Sequence, residues 1–393
     1  MKQISSNINI IGGGLIGAIT AYSLSKFDLE ISILEKKSIY SKKNFDDERT
    51  TAVSEGTKKF LDKIKIWKDI KPYCQPIKKI SVIDRKLSNK LSFDNNRRRS
   101  CLGYIVKNKH FLNVIYSKLK NIKNVKVFND VTFKDFNFDK EKIITNSNNI
   151  RVISDLNIAA DGKKSHVKNY FKTPFFYKNY NKKALVLTFT HSKNHNSTAF
   201  EFFYKNGPLA ILPMKKNKNN FCSSLVWTNN NETINDLMKV DNKTLGLILD
   251  KETQNSVGEI IKIISKQAFP LSAHVNSKFF EKRTVYIGDA AHSFHPIAGQ
   301  GWNLGMNDVE NLFNLVNEYY SLGFELGGSL FCKRYNDDNF YNAFQLYQIT
   351  DKLDIIFQIQ NPLFNAGRSS AISLIDKSKS IKNIISDFAM GIN

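Results

Sequence analysis

The sequence predicts an α/β fold: a discontinuous Rossmann-like dinucleotide-binding unit, an inserted and mostly antiparallel β-sheet, and C-terminal helices. Three observations predict it. A β-α-β pattern around a glycine-rich turn opens the chain at residues 8–35. Strand-like alternation fills residues 183–229. A second glycine-rich turn, from Gly288 to Gly305, follows a short apolar strand near the far end.

The opening unit reads element by element. Ile8-Asn9-Ile10-Ile11 is a compact apolar strand, and Gly12, Gly14 and Gly17 then satisfy G-x-G-x-x-G. Ala18 to Lys26 continues as a helix whose small residues, Ala18 and Ala21, suit close packing. Ile31–Leu34 makes the second strand, and Glu35 ends it, 18 residues beyond Gly17. A tight turn, a helix N-terminus for a pyrophosphate and an acid for ribose hydroxyls together specify a dinucleotide. Glu35 favours an adenosine with free ribose hydroxyls, which leaves FAD or NAD and disfavours NADP.

The middle of the chain has another rhythm. Residues 77–93 read as strands around Ile80–Ile83 and Leu91–Phe93. Further strands are expected at Ala184–Thr190, Ala199–Tyr204, Leu209–Leu212 and Phe221–Trp227, with polar turns at Asn217–Asn220 and Asn229–Asn231. Period-two patterning with Phe, Val, Leu and Thr fits an antiparallel sheet. Helical segments near residues 243–266 are expected to cover one of its faces.

The second glycine turn closes the site. Thr284–Ile287 reads as a strand, and Gly288-Asp289 follows it directly. Gly299, Gly301 and Gly305 let backbone N–H groups approach a ligand, and a helix starting near Gly301 favours an anion at its N-terminus. Beyond it, Leu353, Ile356 and Phe357, and later Ile381, Ile384 and Ile385, recur at helical spacing, with lysines interleaved. Such a stripe packs on the protein itself, on a sister subunit or in a membrane interface.

Composition bounds the function. A chain of 393 residues has room for two domains. No run of 18 apolar residues occurs, and the N-terminus is polar, so neither a transmembrane helix nor a signal peptide is expected. Four scattered cysteines without a C-x-x-C pair suit a reduced compartment and give neither a disulfide framework nor a metal site. The net charge of +22 is spread along a Lys-, Asn- and Ile-rich chain. It reads first as composition bias and second as attraction to an anionic membrane surface. No nucleic-acid module accompanies it, and no nucleic-acid partner is expected.

Four motifs occur in order: Gly12–Gly17 with Glu35, Asp47–Ser54, Ala160–Ser165, and Gly288–Val309. Together they resemble the group A flavoprotein monooxygenases. His295-Pro296-Ile297-Ala298-Gly299-Gln300-Gly301 and Gly207–Pro213 narrow the resemblance to the ubiquinone-biosynthesis hydroxylases (UbiH/UbiF-like), across essentially the whole chain. The C-terminal Asp351, Asn361-Pro362-Leu363 and Met390-Gly391 add to it. The resemblance implies bound FAD, a transient NAD(P)H, and an FAD-binding domain at residues 1–72, 102–172 and 272–350. It places a substrate domain at 73–101 and 173–271 and a helical region at 351–393.

The implied activity is hydroxylation of a prenylated phenol or quinone precursor by O2 through a flavin C4a-hydroperoxide, which needs a dry pocket. Alternatives are a hydroxylase or epoxidase of another apolar or phenolic substrate, and a non-catalytic FAD-binding component of a quinone-synthesis complex. Implied cofactor contacts are Gly12, Gly14, Gly17, Glu35, Arg49, Asp161, Gly162, Asp289, Pro296, Gly299, Gln300, Gly301 and Asn303. Candidate pocket walls are Phe202, Leu212, Pro213 and Trp227. His292 and His295 read as structural, no metal ligand set is assigned, and the chemistry is left to the flavin, with no catalytic side chain named. Lys168 and Asn307 stand where the family carries arginine, and lysine lacks bidentate geometry. Partners allowed by the resemblance are a quinone-synthesis complex, a homo-oligomer and an anionic membrane. The scattered cysteines point to a cytoplasmic location, and the resemblance allows a peripheral position on the inner face of the plasma membrane.

Overall fold

The computed structural model describes residues 2–38, 48–84, 89–94, 101–294 and 300–358. Its centre is a six-stranded sheet in the order Phe280–Glu281, Thr284–Tyr286, Leu156–Ala159, Ile8–Ile11, Ile31–Leu34, Val125–Phe128. All neighbours are parallel except the first pair. Ile8–Ile11, Ile31–Leu34 and Leu156–Ala159 are buried at every position, as parallel strands covered on both faces must be. Helices Leu15–Leu24 and Asn108–Leu119 pack against each other, and Gln300–Ser321 packs on the first of them.

A small sheet lies behind this one. Lys2–Ser5 pairs in parallel with Ile150–Ser154, followed by Lys142–Ser147 and Phe133–Asp139. Where the two sheets meet, a polar cluster is fully buried and fully satisfied. Asn9 Nδ2 donates to Asn157 Oδ1 at 2.9 Å and to Thr145 Oγ1 at 3.0 Å, and Ser32 Oγ donates to Asn9 Oδ1 at 2.8 Å. Each of these groups would cost on the order of 1–3 kcal/mol if left unpaired.

The third layer is a long eight-stranded sheet. Its order is His292–Ser293, Ile260–Asn276, Phe175–His191, Asn220–Asn230, Gly207–Asn217, Thr198–Tyr204, Lys79–Asp84, Asn89–Asp94. Only the Thr198–Tyr204 and Lys79–Asp84 pair is parallel. The expected strands within 183–229 all lie inside longer observed ones. Residues 243–266 differ from expectation: helices occupy Asn231–Lys239 and Asn242–Glu252, and Ile260–Asn276 is a 17-residue strand. Ile260, Ile263 and Ile264 sit at i, i+3 and i+4, a spacing that fits a helix as well as a strand. Pairing with Phe175–His191 decides the matter.

The two faces of this sheet have separate fates. Phe202, Leu209, Leu225 and Trp227 form a core with Ile234, Leu237, Leu245 and Leu249 of the two helices. The opposite face carries Ala199, Leu212, Met214 and Cys222. These pack on Ala52, Ile77, Leu102 and Ile105, which belong to or flank a three-stranded sheet of Thr50–Val53, Gly103–Lys107 and Gln75–Ile77. The C-terminal helix Ser329–Gln358 packs on Gln300–Ser321. The remainder of the expected helical region lies outside the described residues.

Candidate functional site

The first glycine turn is built by steric necessity. Gly12 has φ of +106°, and a Cβ there would stand 2.4 Å from the Ala160 carbonyl oxygen. A Cβ on Gly17 would stand 2.0 Å from the Gly12 oxygen, so the helix can begin this close only with glycine. Gly14 differs: a Cβ there meets nothing within 4 Å. It caps the helix Leu15–Leu24 without a side-chain hydrogen bond, so no cap side chain takes up the first helical N–H groups.

Glu35 reaches back to this turn. Its Oε2 accepts from Gly13 N at 2.6 Å and its Oε1 from Lys37 N at 3.0 Å. Tyr116, which sequence reasoning did not single out, donates its hydroxyl to Gly13 O. The turn is thus held on both sides by residues 22 and 103 positions away.

The second turn lies against the first. Gly288 has φ of +56°, and Cβ atoms on Gly288 and Gly305 would each press on Ile16, at 3.1 and 3.0 Å. Asp308 is 1% exposed, and its Oδ2 accepts from Gly288 N at 2.8 Å and bonds His292 Nε2 at 2.7 Å. His292 therefore fixes this turn to the helix Gln300–Ser321, the structural part expected of it. Asn276 ties the same turn to the long sheet, Nδ2 donating to Ala290 O at 3.0 Å. Asp289 itself stays exposed, while protein crowding around it pushes its carboxyl above the usual range against the pull of His292, Lys163 and Arg49. An accessible carboxylate ringed by protein marks the wall of a cleft.

Arg49 stands across from it. Its guanidinium carbon lies 5.9 Å from the Phe269 ring on the long sheet. Neighbouring Glu48 resists ionisation through burial, but hydrogen bonds and charge from Lys107 and Lys109 outweigh that and hold its carboxyl below the usual range. Thr188 Oγ1 donates to Glu48 O at 3.4 Å, and Thr50 Oγ1 donates to Ser224 Oγ at 3.3 Å. The face of the long sheet that carries Leu212 and Ser224 is therefore the one turned to Glu48–Ala52.

Several expected site residues have local duties. Asp161 Oδ2 accepts from His166 N at 2.7 Å and Val167 N at 3.2 Å, capping a short helix, while its buried Oδ1 has no hydrogen-bond partner among the described residues. Gly162 has φ of +80°, with open space around it. Lys168 is buried, its ammonium 4.4 Å from the Phe175 ring, and burial lowers its pKa against the pull of Asp161. Asn307 is exposed. Asn303 was expected at the cofactor, yet its amide is engaged by protein: Oδ1 accepts from Ser54 N at 3.0 Å and Thr57 Oγ1 at 2.9 Å, and Nδ2 donates to Ala52 O at 3.0 Å. Gln300 and Gly301 open the helix Gln300–Ser321, with open space at Gly301. His295, Pro296 and Gly299 lie outside the described residues.

The four proposed pocket walls divide between the faces. Leu212 lies on the face turned to Glu48–Ala52. Phe202 and Trp227 lie in the helix-covered core, on the far side. Pro213 alternates with Leu212 and so points the same way as Ile211, toward that far core. Alternation groups these residues correctly into sets, but which set faces the cleft depends on what each face meets.

Two glycine turns side by side, a strand-end acid and a cleft-facing aspartate between cations suit an elongated dinucleotide. The open space at Gly14 and the unpartnered Asp161 Oδ1 fit such a ligand on polar terms. A sequence profile described as an FAD binding domain matches residues 5–321. The chain belongs to the FAD binding domain family. As an FAD-binding protein it is similar to the ubiquinone hydroxylase UbiL of Rhodospirillum rubrum, at 25% identity over 98% of this chain and 90% of that one. It is also 26% identical to the mitochondrial ubiquinone biosynthesis monooxygenase COQ6 of Dictyostelium discoideum, over 98% and 91% of the two chains. The crystal structure of p-nitrophenol 4-monooxygenase PnpA from Pseudomonas putida shares the fold, with a TM-score of 0.81 at 15% identity over 100% of this chain and 99% of that one.

Proposed function

We propose that this FAD-binding protein is an NAD(P)H- and O2-dependent monooxygenase that hydroxylates the aromatic ring of a prenylated ubiquinone precursor. The observation that carries the reading is the near face of the long sheet. Leu212, Ala199 and Ile80 make that face apolar where it packs near Ala52, and Phe269 of the same sheet lies under the Arg49 guanidinium; hydroxylation requires such exclusion of water. The names of UbiL and COQ6 supply the substrate class. Bound FAD supplies the redox chemistry, taking electrons from NAD(P)H and activating O2.

The chain's own groups bind and orient. The N–H groups after Gly14 face the pyrophosphate, and Glu35 faces the adenosine ribose, exchanging its bond to Gly13 N for ribose hydroxyls. Asp289 and Arg49 flank the middle of the cofactor, and the backbone at Gly301 faces the ring. Gly162 and Oδ1 of Asp161 complete the wall, and Pro296, Gly299 and Gln300 are read with Gly301. Asn303 acts one step back, clamping the Gln300–Ser321 helix to Ser54 and Thr57.

Residues 1–72, 102–172 and 272–350 are read as the FAD-binding unit, and 73–101 with 173–271 as the substrate unit. No described helix is long and apolar enough to cross a membrane. The net charge of +22 and the exposed Phe175, Phe176 and Tyr177 support a peripheral position on an anionic membrane face, with a cytoplasmic location. A homo-oligomer or a quinone-synthesis complex would bring such proteins together there.

Purified protein is expected to carry the visible flavin bands and to oxidise NAD(P)H faster when 2-geranylphenol is added. Mass spectrometry should find that phenol heavier by one oxygen. Flavin without any oxygenated product from prenylated phenols would overturn the reading.

A further inference from the structure

Glu201 is a carboxylate inside an apolar sheet. It sits in strand Thr198–Tyr204, where antiparallel pairing sets it opposite Ala210 and parallel pairing sets it opposite Val82. Opposed residues share a face. Glu201 therefore shares a face with Ala210 and Leu212, and across the next strands with Val226 and Ser224. That face is turned to Glu48–Ala52, because Ser224 meets Thr50 there. Phe200 and Phe202, on either side in sequence, point to the helix-covered core instead.

The carboxylate has no hydrogen bond or ion pair with any described residue, and its immediate neighbours are Val82 and Ala210. Two elements pack against this face: Glu48–Ala52, whose charged groups are engaged, Glu48 with Lys107 and Lys109 and Arg49 beside Phe269, and helix Ser329–Gln358, which brings Tyr347 beside Val226. Cys222, further along the sheet, has its thiol pushed up to about 11 by burial and carries no charge. Glu201 is half-buried, and burial alone pushes its carboxyl up to about 7. A buried carboxylate that finds no partner among the described residues costs stability, and such a group persists where a ligand gives it a partner.

We propose that Glu201 is a catalytic residue that accepts the proton of the substrate's ring hydroxyl. The proposal rests on the phenol-hydroxylase reading. In the step, the phenolic O–H bond breaks and a carboxyl O–H bond forms. The electron pair left on oxygen delocalises into the ring and makes the ortho and para carbons stronger nucleophiles toward electrophilic oxygen. After oxygen transfer the attacked ring carbon gives up its C–H proton to solvent and its electrons restore the aromatic ring, while the proton held by Glu201 returns to the ring oxygen and restores both the hydroxyl and the carboxylate. A base that titrates close to neutrality is well matched to this transfer.

The test uses full-length, FAD-loaded enzyme with 2-geranylphenol, following hydroxylated product between about pH 5 and 9. In wild type, kcat/KM is expected to fall as pH drops through the Glu201 range. Glu201→Gln is expected to lose that acid limb and about 100-fold or more in kcat, with KM changed much less. Glu201→Asp is expected to keep the limb and recover part of kcat. Flavin content and near-ultraviolet circular dichroism verify folding, and if the Gln variant loses flavin the Asp variant decides. A Gln variant with wild-type kcat and pH profile, or an Asp variant without an acid limb, overturns the role of Glu201 while hydroxylation stands. Wild type that binds FAD but makes no product overturns the hydroxylase reading, and the proposal with it.

Discussion

At the scale of single residues, the two glycines of the opening turn have different reasons to be glycine. Gly17 answers to the protein, because a Cβ would stand 2.0 Å from the Gly12 carbonyl oxygen. Gly14 has no neighbour within 4 Å and a φ of −65°, so the protein alone tolerates a side chain there. Gly14→Ala is expected to melt like wild-type apoprotein yet lose flavin on gel filtration, while Gly17→Ala should lower the melting temperature of the apoprotein itself. Equal melting of both apoproteins would contradict the steric assignment. Asp308 offers a second case. Its carboxylate holds Gly288 N and His292 together, so Asp308→Asn keeps the shape but weakens charge-assisted bonds. A loss of about 1–3 kcal/mol in urea unfolding is expected, with weaker FAD retention because Asp289 sits one residue from Gly288. Unchanged FAD affinity would separate the Asp308 clamp from the cofactor site.

At the scale of elements, the long sheet sorts its residues by face, and mutation should show the division. Phe202→Ala removes a fully buried ring from the helix-covered core and should cost about 3–5 kcal/mol, with the KM for a prenylated phenol unchanged in the folded fraction. Leu212→Ala should instead raise that KM, on the order of tenfold, with a smaller loss of stability. Reversal of the two outcomes would mean that the cofactor lies under the other face. This division explains what was legible in the sequence. Gly12–Gly17 and Glu35 could be read because a β-α-β turn is local and its chemistry is written in adjacent residues. Leu212 and Trp227 could be assigned to strands, but period-two alternation does not say which set meets the helices. Tyr116, Asp308 and the clamp made by Asn303 were invisible as partners. Tyr116 meets Gly13 103 residues away, and Asn303 meets Ser54 249 residues away. The expected helix near 243–266 runs into the first residues of strand Ile260–Asn276 because their isoleucines satisfy both periods, and only the pairing strand resolves them.

At the scale of the whole molecule, the cleft leaves its mark on the pH dependence of stability. Glu201 has a folded pKa of about 7 against an ordinary value of 4.5, because burial disfavours its charge. The folded state therefore holds this proton more tightly than the unfolded chain. The associated stability is fully present below about pH 4.5 and is lost as pH rises through 7. His274 works in the opposite sense. Burial first, then Lys168, His292 and Lys163, bring it down to about 3, so its contribution is present above 6.5 and lost as pH falls. The two slopes oppose each other across weakly acidic pH, and a single pH curve would hide both. A variant pair isolates one of them: Glu201→Gln should match wild type near pH 4.5 and exceed it by up to about 3 kcal/mol above pH 7, by urea unfolding of the apoprotein. The variant that loses hydroxylation should thus be the more stable protein at neutral pH, since the same buried carboxylate, unpaired among the described residues, both weakens the fold and receives the proton. A difference that stays flat from acid to neutral pH would show that the Glu201 carboxylate is solvated in the apoprotein, and that the sheet face carrying it is open to water.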